Sequence, residues 1–328
     1  MPENVLGLPE DRDLSAENFD RLNRDFFEAA PHEYFQNRLN HLMLFAGRRG
    51  DIREMLRSGV GYRGVRVTFR APADDDEHDM SFIALESEVL LHHAAETLLR
   101  LYLAHEGRPE CPWLEMARVR QPSTFKERLT ARFVEGPSVE DAVSLSAPVL
   151  LGSDGRADGM GEIALNMEDA LRRFAGHFLR FPHLYNAAKH GFAVHAAETG
   201  SRLSLPEESE LPPIETRGPA IQYLSGKRDE DRALWYEAMT FVELVRAMAL
   251  TGVASLLIQN LWTLARQHYL GGAGDQPLFV LDRPLSEYVP RPEGLMIRSV
   301  RRRLLYEGEE AGGVWELELE WTGEAEDE

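Results

Sequence analysis

Features that would mark several classes of protein are absent from this sequence of 328 residues. Cys111 is the single cysteine, which excludes an internal disulfide bond and a cysteine-based zinc site and suits a reducing compartment. The N-terminus has neither a basic start nor an apolar core, so no signal peptide is predicted. The most apolar run, residues 247–258, is too short to span a bilayer. We therefore expect a soluble, cytoplasmic protein without membrane contact.

Basic residues are also in short supply. The formal net charge of -19 argues against a surface built for broad contact with nucleic acid, because such surfaces carry basic stripes. Much of the negative charge is local, however, since residues 307–328 contain acidic residues and neither Lys nor Arg. A basic pocket elsewhere in the chain therefore stays compatible with the composition.

Apolar residues recur at helical spacing along much of the chain. Ser15 is a predicted helix N-cap, Pro31 a predicted helix start, and Asp51 a predicted cap of a short third helix. Further helices are predicted at residues 80–105, 113–118, 124–133, from Asn166 onward, and at 231–269. The last of these is apolar nearly all round at its centre, which is typical of a helix in a core or in a dimer interface. Between residues 134 and 161 we expect loops.

Other segments alternate with a period of two and are predicted strands. They are residues 65–70, a hairpin of 192–197 with 202–205, 220–224, 278–281, and a second hairpin of 295–306 with 314–321, with Pro206–Gly218 as a surface linker. The fold class that follows is α+β, predominantly α-helical, with β-hairpins in the C-terminal part. We expect N-terminal helices and a strand over residues 1–80, a helical bundle over 81–198, and a linker, the long apolar helix and strands over 199–328.

Patterns that suggest metal or phosphate binding are incomplete. Glu88, His92 and Glu96 lie four residues apart on one helix face, but no partner helix with a Glu-x-x-His pattern is visible. The acidic run 74–79 lacks the spaced ligands of a calcium loop. The glycine-rich segment 152–161 is not followed by Gly-Lys-Ser/Thr, as a phosphate-binding loop would be. We therefore predict no metal and no cofactor.

The most promising chemical side chains lie in the segment Leu179–Gly191. Pro182 is expected to kink or restart the helix there, and Gly191 fits the left-handed position after a helix end. The segment contains Asn186, Lys189 and His190. A histidine titrates near neutral pH, so His190 is a candidate acid or base.

Two segments of this sequence resemble HEPN domains, small helical bundles of prokaryotic toxins, defence nucleases and nucleotidyltransferase partners. His93-Ala-Ala-Glu-Thr-Leu-Leu-Arg-Leu-Tyr-Leu103 is similar to the family's early helix. Tyr185-Asn-Ala-Ala-Lys-His-Gly191 is similar to its closing Arg-polar-x-x-x-His motif. The resemblance covers about residues 80–195 and implies a HEPN-like helical bundle.

The chemistry that this resemblance implies is metal-independent RNA cleavage. His190 would be the acid or base, Asn186 the orienting polar residue, and Lys189 or another cation the group on the phosphate. Glu96 and His93 would come from the early helix, which would have to lie against His190. Tyr185 occupies the position of the family's arginine, and a neutral tyrosine cannot replace a guanidinium.

Each of these residues also has a structural interpretation. His190 before a glycine can cap a helix C-terminus, and Glu96 can pair with Arg100 four residues later. The arginines Arg298, Arg301, Arg302 and Arg303 fit a solvated strand that faces the acidic tail better than an RNA-binding surface.

Two functional hypotheses follow. The first is a non-enzymatic interaction or scaffold protein on a HEPN-like bundle, tied to RNA or to defence and toxin systems, and the second is a ribonuclease using His190. The missing arginine and the net charge favour the first. A homodimer through apolar helices, RNA and a protein partner are the candidate partners.

Overall fold

Helices dominate the structure, a computed structural model. It describes residues 14–28, 30–63, 65–67, 76–119, 121–152, 160–189, 194–203, 214–229, 232–271, 277–290, 295–305 and 315–321. The helices are α1 (Ala16–Phe27), α2 (Pro31–Gly47), α3 (Arg49–Ser58), α4 (Asp76–His105), α5 (Pro112–Arg118), α6 (Pro122–Leu129), α7 (Val139–Leu150), α8 (Met160–Arg180), α9 (Pro182–Lys189), α10 (Leu244–Leu270) and α11 (Leu285–Tyr288). A π-helical turn, Thr130–Val134, follows α6. Two short strands, β1 (Val60–Tyr62) and β2 (Val65–Val67), pair with each other.

One antiparallel sheet occupies the C-terminal part of the chain. Its strands are β3 (Val194–Leu203), β4 (Ile214–Asp229), β5 (Arg232–Phe241), β6 (Leu295–Arg303) and β7 (Trp315–Trp321), in the order β3-β4-β5-β6-β7. The expectation of a predominantly helical α+β protein with C-terminal hairpins is therefore confirmed. The register pairs Tyr223 with Ala238 and Met239 with Val300, and it shifts between Ile297 and Ser299 in β6.

Several helix boundaries follow the predicted local signals. Ser15 caps α1 by accepting a hydrogen bond from the backbone N–H of Asn18, and α2 begins at Pro31. The helix before Pro182 ends at Arg180 and a new one starts at Pro182 itself, as expected from the missing amide donor of proline. Asp51 is not the cap of α3: the helix starts at Arg49 and Asp51 lies in its first turn.

Two helices begin earlier than predicted, and one was missed. The helix α4 begins at Asp76, inside the acidic run, and α8 begins at Met160. The loops expected between residues 134 and 161 were wrong for Val139–Leu150, which forms α7. Ser138 caps this helix through the N–H of Asp141, and the buried Ala142, Ala147 and Leu150 give it an apolar face.

Four predictions in the C-terminal part were wrong. Residues 194–203 form one strand instead of a hairpin, because Gly200 continues the pairing with Arg217 of β4. The segment 232–241 is a strand and not the start of the long helix, and its Leu234, Tyr236 and Ala238 alternate as buried residues. Residues 278–281 form no strand, because the side-chain amide of Asn260 satisfies the backbone N–H and carbonyl of Phe279. The predicted linker Pro206–Gly218 is part of strand β4 from Ile214 onward.

The chain divides into two compact units that are discontinuous in sequence. The first contains Met1–Tyr34, Ala94–Leu179 and Val253–Leu285, and the second contains Phe35–His93, Arg180–Gly252 and Ser286–Glu328. The expected domains were consecutive segments, and their boundaries stay a prediction. In the second unit, α9 packs on the sheet through Leu184 and Ala187, which join Ile221, Tyr223 and Ala238 in one core cluster.

The helix α10 is long and apolar enough to cross a membrane by length and composition, so the expectation that its apolar run is too short to do so was wrong. Half of its most apolar window is buried within the protein, and core helices of soluble proteins pass the same test. Within the run 247–258, Ala254, Leu257 and Ile258 are fully buried, whereas other residues of the run are half-buried.

Candidate functional site

Tyr185, in the segment Tyr185–Gly191, contacts helix α4 one residue before the segment His93–Leu103. Tyr185 on α9 stacks on His92 of α4, with ring centroids 4.2 Å apart and an interplanar angle of 19°. His92 is buried, and Tyr185 is half-buried. The side chain of Tyr185 therefore packs against α4.

The other predicted site residues have separate environments. Asn186 is exposed on α9, Lys189 is the last residue of that helix, and His190 lies outside the described residues, as does Gly191. His93 meets Phe35 edge-on, with ring centroids 5.1 Å apart. Of the candidate residues, Tyr185 thus contacts His92, the residue that precedes His93 in the sequence.

Glu96 forms the ion pair that its spacing predicted. Its Oε1 lies 2.8 Å from Nη2 of Arg100, one turn later on α4. The Arg100 guanidinium also donates to the carbonyl of Val119 and lies 4.0 Å from the centroid of the Phe125 ring. Glu96 therefore has a structural role. It pairs with the Arg100 guanidinium, which contacts Val119 and Phe125 within the first unit.

Arg298 was predicted to lie on a solvated strand, but its guanidinium lies beside α4. Arg298, at the register shift of β6, is buried, and its Nη1 donates to the carbonyl of Phe241 at 2.8 Å. Its Nη2 lies 3.1 Å from Oε1 of the buried Glu88. A β-bulge re-aims one side chain, which explains why Arg298 points inward on an otherwise alternating strand. Its charge is neutralised by Glu88, so it is not available to a phosphate.

Arg301 and Arg302 fit the predicted solvated strand, whereas Nε of Arg303 is buried. Arg302 is exposed, and Arg301 lies 4.0 Å from Glu316 of the neighbouring strand β7. Within the described residues, no group of three or more His, Cys, Asp or Glu side chains is placed to hold a metal ion. Glu88 and His92 share a helix face, but Arg298 and Tyr185 occupy their contacts.

A second buried polar cluster lies in the first unit, around the π-helical turn. Arg132 donates from Nη1 and Nη2 to both oxygens of Glu168 at 3.1 Å, and from Nη2 to the hydroxyl of Tyr102 at 2.7 Å. Its Nε donates to Glu106, which also accepts the Tyr102 hydroxyl hydrogen at 2.7 Å. Arg172 donates to Glu168 at 3.0 Å. Every charged group in this network is paired with an opposite charge.

The electrostatics of this network fix the charge states. Burial, together with the neighbouring carboxylate of Glu106, raises the pKa of the Tyr102 hydroxyl above its ordinary value. Burial by itself would lower the pKa of Arg132, but its hydrogen bonds to Glu168 and Glu106 raise it instead. A fully paired network with fixed protonation is suited to holding elements together. This network was not predicted from the sequence. The signal that could have indicated it was Glu168, an acidic residue among the apolar residues Met167, Ala170 and Leu171.

Four of the exposed large apolar side chains lie on helices α2, α3 and the start of α4, at positions that belong to the second unit. We call them the α2–α3–α4 surface, defined by Met43, Leu44, Met55 and Phe82, which are 54%, 56%, 60% and 48% exposed.

The helices that carry this surface are held together by specific contacts. Arg53 of α3 pairs with Asp79 of α4, and Arg38 of α2 pairs with Glu86 of α4 at 2.8 Å. Phe45 contacts Phe82 edge-on, with ring centroids 5.6 Å apart. The apolar side chains are therefore displayed on helices that are fixed to one another.

Comparison with known proteins adds no family. No protein-family model matches this sequence, and neither a curated protein nor a solved structure matches the chain.

Proposed function

We propose that this chain is a non-enzymatic interaction protein that binds a protein partner through the α2–α3–α4 surface. The observation that carries the proposal is the exposure of Met43, Leu44, Met55 and Phe82 on helices joined by ion pairs. Large apolar side chains that gather on a protein surface mark interaction sites, and methionine adapts its shape to a partner.

The charge around this surface is mixed. Arg48 and Arg53 are paired with Asp51 and Asp79, and the start of α4 adds further acidic residues. The apolar side chains therefore decide the kind of partner, and an amphipathic helix that presents an apolar face fits them. A second copy of a chain with a net charge of -19 would be repelled, so a different protein is the better occupant.

The HEPN-like pair of helices serves as scaffold in this proposal. Tyr185 packs on His92 where the family has an arginine, and the nearby guanidinium of Arg298 is bound to Glu88. These contacts support a structural role for the closing motif. The ribonuclease hypothesis depends on His190, which lies outside the described residues.

The partner surface is tested by a matched pair of substitutions. Leu44 and Leu224 are exposed to similar extents, 56% and 58%, and both belong to the second unit. We expect Leu44→Glu combined with Met55→Glu to abolish binding of the partner identified by crosslinking, measured calorimetrically with purified proteins. Leu224→Glu should leave the affinity for the partner within about twofold, because Leu224 lies on β4 and is not part of the α2–α3–α4 surface. Equal affinity for both variants would contradict the surface assigned.

The other partners are separated by further measurements on the same full-length chain. Light scattering that shows a dimer of the wild-type chain and a monomer of the Leu44→Glu variant would assign the surface to self-association instead. An RNA pool incubated with the protein in EDTA should stay intact. Cleavage to 2′,3′-cyclic phosphate ends that is lost in His190→Ala would replace this proposal with the nuclease.

A further inference from the structure

A cavity of about 340 Å³ lies within the first unit, among the ends of α4 and α7 and the second half of α10. Its walls combine the aliphatic side chains of Val149, Leu261, Leu264 and Ala265 with polar groups that make up the larger part of the accessible lining. The volume is within the range of pockets that hold small molecules. The cavity belongs to neither buried polar cluster described above.

His105, the last residue of α4, is a buried polar group in the lining of this cavity. Only 4% of its surface is exposed. Its Nδ1 lies 2.6 Å from the carbonyl oxygen of Leu101. A carbonyl only accepts, so Nδ1 carries the hydrogen and Nε2 presents a lone pair. Burial lowers the pKa of His105 to about 4, which leaves the ring neutral at pH 7.

The Nε2 atom of His105 is buried and has no hydrogen-bond partner among the described residues. An unpaired buried acceptor is costly, and buried polar atoms in native proteins are nearly always satisfied. Because His105 lines the cavity, a molecule that enters it can supply the missing donor. The nearby Tyr269 hydroxyl does not, because it donates to the carbonyl of Pro109 at 2.7 Å.

Arg108 gives the cavity a positively charged lining residue. It is exposed, as is its neighbour in the lining, His268. The charge of Arg108 reaches the cavity wall, since it opposes the effect of burial on the pKa of Tyr269. A guanidinium in the lining of a cavity attracts an anionic group and binds a carboxylate with paired N–H donors.

We propose that this cavity binds a small amphipathic anion, with a hydroxyl or N–H donor at its inner end, an apolar body, and a carboxylate at its outer end. The inner donor bonds Nε2 of His105, the body fills the space between Leu261, Leu264 and Ala265, and the carboxylate lies at Arg108. The site is independent of the α2–α3–α4 surface, which lies in the other unit.

Three related probes test each part of the ligand. The first is 3-(4-hydroxyphenyl)propanoate, the second is 3-phenylpropanoate, which lacks the inner donor, and the third is the methyl ester of the first, which lacks the anion. We expect saturable binding of the first probe in calorimetric or NMR titrations, and about tenfold weaker binding of each of the others, since one hydrogen bond or ion pair is lost.

Variants of the full-length chain locate the binding. Ala265→Leu fills the cavity and should abolish binding, while Arg108→Gln should weaken it about tenfold. Arg266→Gln is the control for Arg108→Gln, because Arg266 is an exposed arginine next to Ala265 on α10 but does not line the cavity. His105→Phe should remove the preference for the hydroxylated probe over 3-phenylpropanoate. Thermal unfolding confirms that each variant is folded.

The proposal has clear contrary outcomes. It is overturned when none of the three probes binds saturably to the wild-type chain at concentrations up to about 10 mM. It is also overturned when the folded Ala265→Leu variant binds the first probe as tightly as the wild type, or when the hydroxyl and the carboxylate make no difference to the affinity.

Discussion

Glu88 on α4 and Arg298 on β6 are 210 positions apart in sequence and form a buried ion pair, with Nη2 and Oε1 separated by 3.1 Å. The Arg298 guanidinium also lies 5.2 Å from the ring centroid of Phe181, at the junction of α8 and α9. The pair thus links the early helix, the sheet and the start of the closing motif within the second unit.

Removing the negative charge of this pair should destabilise the protein. Glu88→Gln leaves the buried charge of Arg298 uncompensated, and we expect the free energy of unfolding to fall by about 3 kcal/mol. Urea denaturation measures it. Asp51→Asn is the control, because the Arg48–Asp51 pair is exposed and should contribute less than about 1 kcal/mol. Equal stabilities of the two variants would show that the buried pair is not important.

Glu168 and Asp169 are adjacent in sequence, so the effects of replacing them on stability can be compared directly. Glu168 is fully buried between Arg132 and Arg172, whereas Asp169 makes a half-exposed pair with Arg173. We expect Glu168→Gln to lower the free energy of unfolding by about 3–5 kcal/mol, because two guanidiniums lose their carboxylate. Asp169→Asn should lower it by less than about 1 kcal/mol. An effect of Glu168→Gln as small as that of Asp169→Asn would contradict the stabilising role of the buried network.

Stacking of Tyr185 on His92 predicts energetic coupling between the two rings. In a double-mutant cycle with Tyr185→Ala and His92→Ala, we expect a coupling energy of about 1 kcal/mol in the free energy of unfolding. Tyr34, an exposed aromatic residue of α2, replaces Tyr185 in the control cycle with His92. Additive effects of Tyr185→Ala and His92→Ala would contradict the stacked arrangement.

Replacing Gly176 or Gly152 with alanine should change the stability of the protein in opposite directions. Gly176 lies exposed inside α8 with open space at its Cβ position, so Gly176→Ala should stabilise the protein by about 0.5–1 kcal/mol. Gly152 has a φ of +70°, and a Cβ there would lie 2.8 Å from Cδ2 of Leu264. Gly152→Ala should therefore destabilise it by about 1–3 kcal/mol. Thermal unfolding of both variants checks the signs.

Burial of His105 predicts a pH dependence of stability. Its pKa is about 4 in the folded chain, below the ordinary value of 6.5, so the unfolded chain binds more protons between these values. The stabilising effect of neutral His105 is complete above pH 6.5 and is lost as the pH falls through 4. The loss amounts to about 3 kcal/mol, at 1.36 kcal/mol for each pKa unit.

The measurement is the free energy of unfolding of the wild type and of His105→Gln at several pH values between 7.5 and 4. The difference between the two should shrink as the pH falls. His41→Gln replaces an exposed histidine of α2 and should follow the wild-type curve. A difference between wild type and His105→Gln that stays constant with pH would show that His105 is not buried as a neutral ring.

Local signals in the sequence predicted much of the helical part. Ser15, Pro31 and Pro182 act through the backbone of their own helix turn, so their effect does not depend on distant residues. The i and i+4 pair of Glu96 with Arg100 is local for the same reason. The strand 232–241 could not be separated from the helix that follows, because apolar residues continue from one into the other.

The candidate site was predicted only in part. The nuclease hypothesis required the helix of His93 and Glu96 to lie against His190, which is outside the described residues; the contact that the structure shows nearby is that of Tyr185 with His92. The guanidinium that lies near this contact could not be found in advance, because Arg298 was one of four arginines on an alternating strand. A shift of register in β6 selects it, and that shift depends on the pairing with β7.

The sequence by itself determined the helix starts at Ser15, Pro31 and Pro182, the strong negative charge and the absence of an arginine at position 185, because these depend only on neighbouring residues or on composition. Only the tertiary structure decided which polar groups are buried and with what. Glu88 meets Arg298, Glu168 meets Arg132, and Nε2 of His105 meets no protein donor among the described residues. The partners of a buried charge come from distant segments, and packing alone brings them within hydrogen-bonding distance.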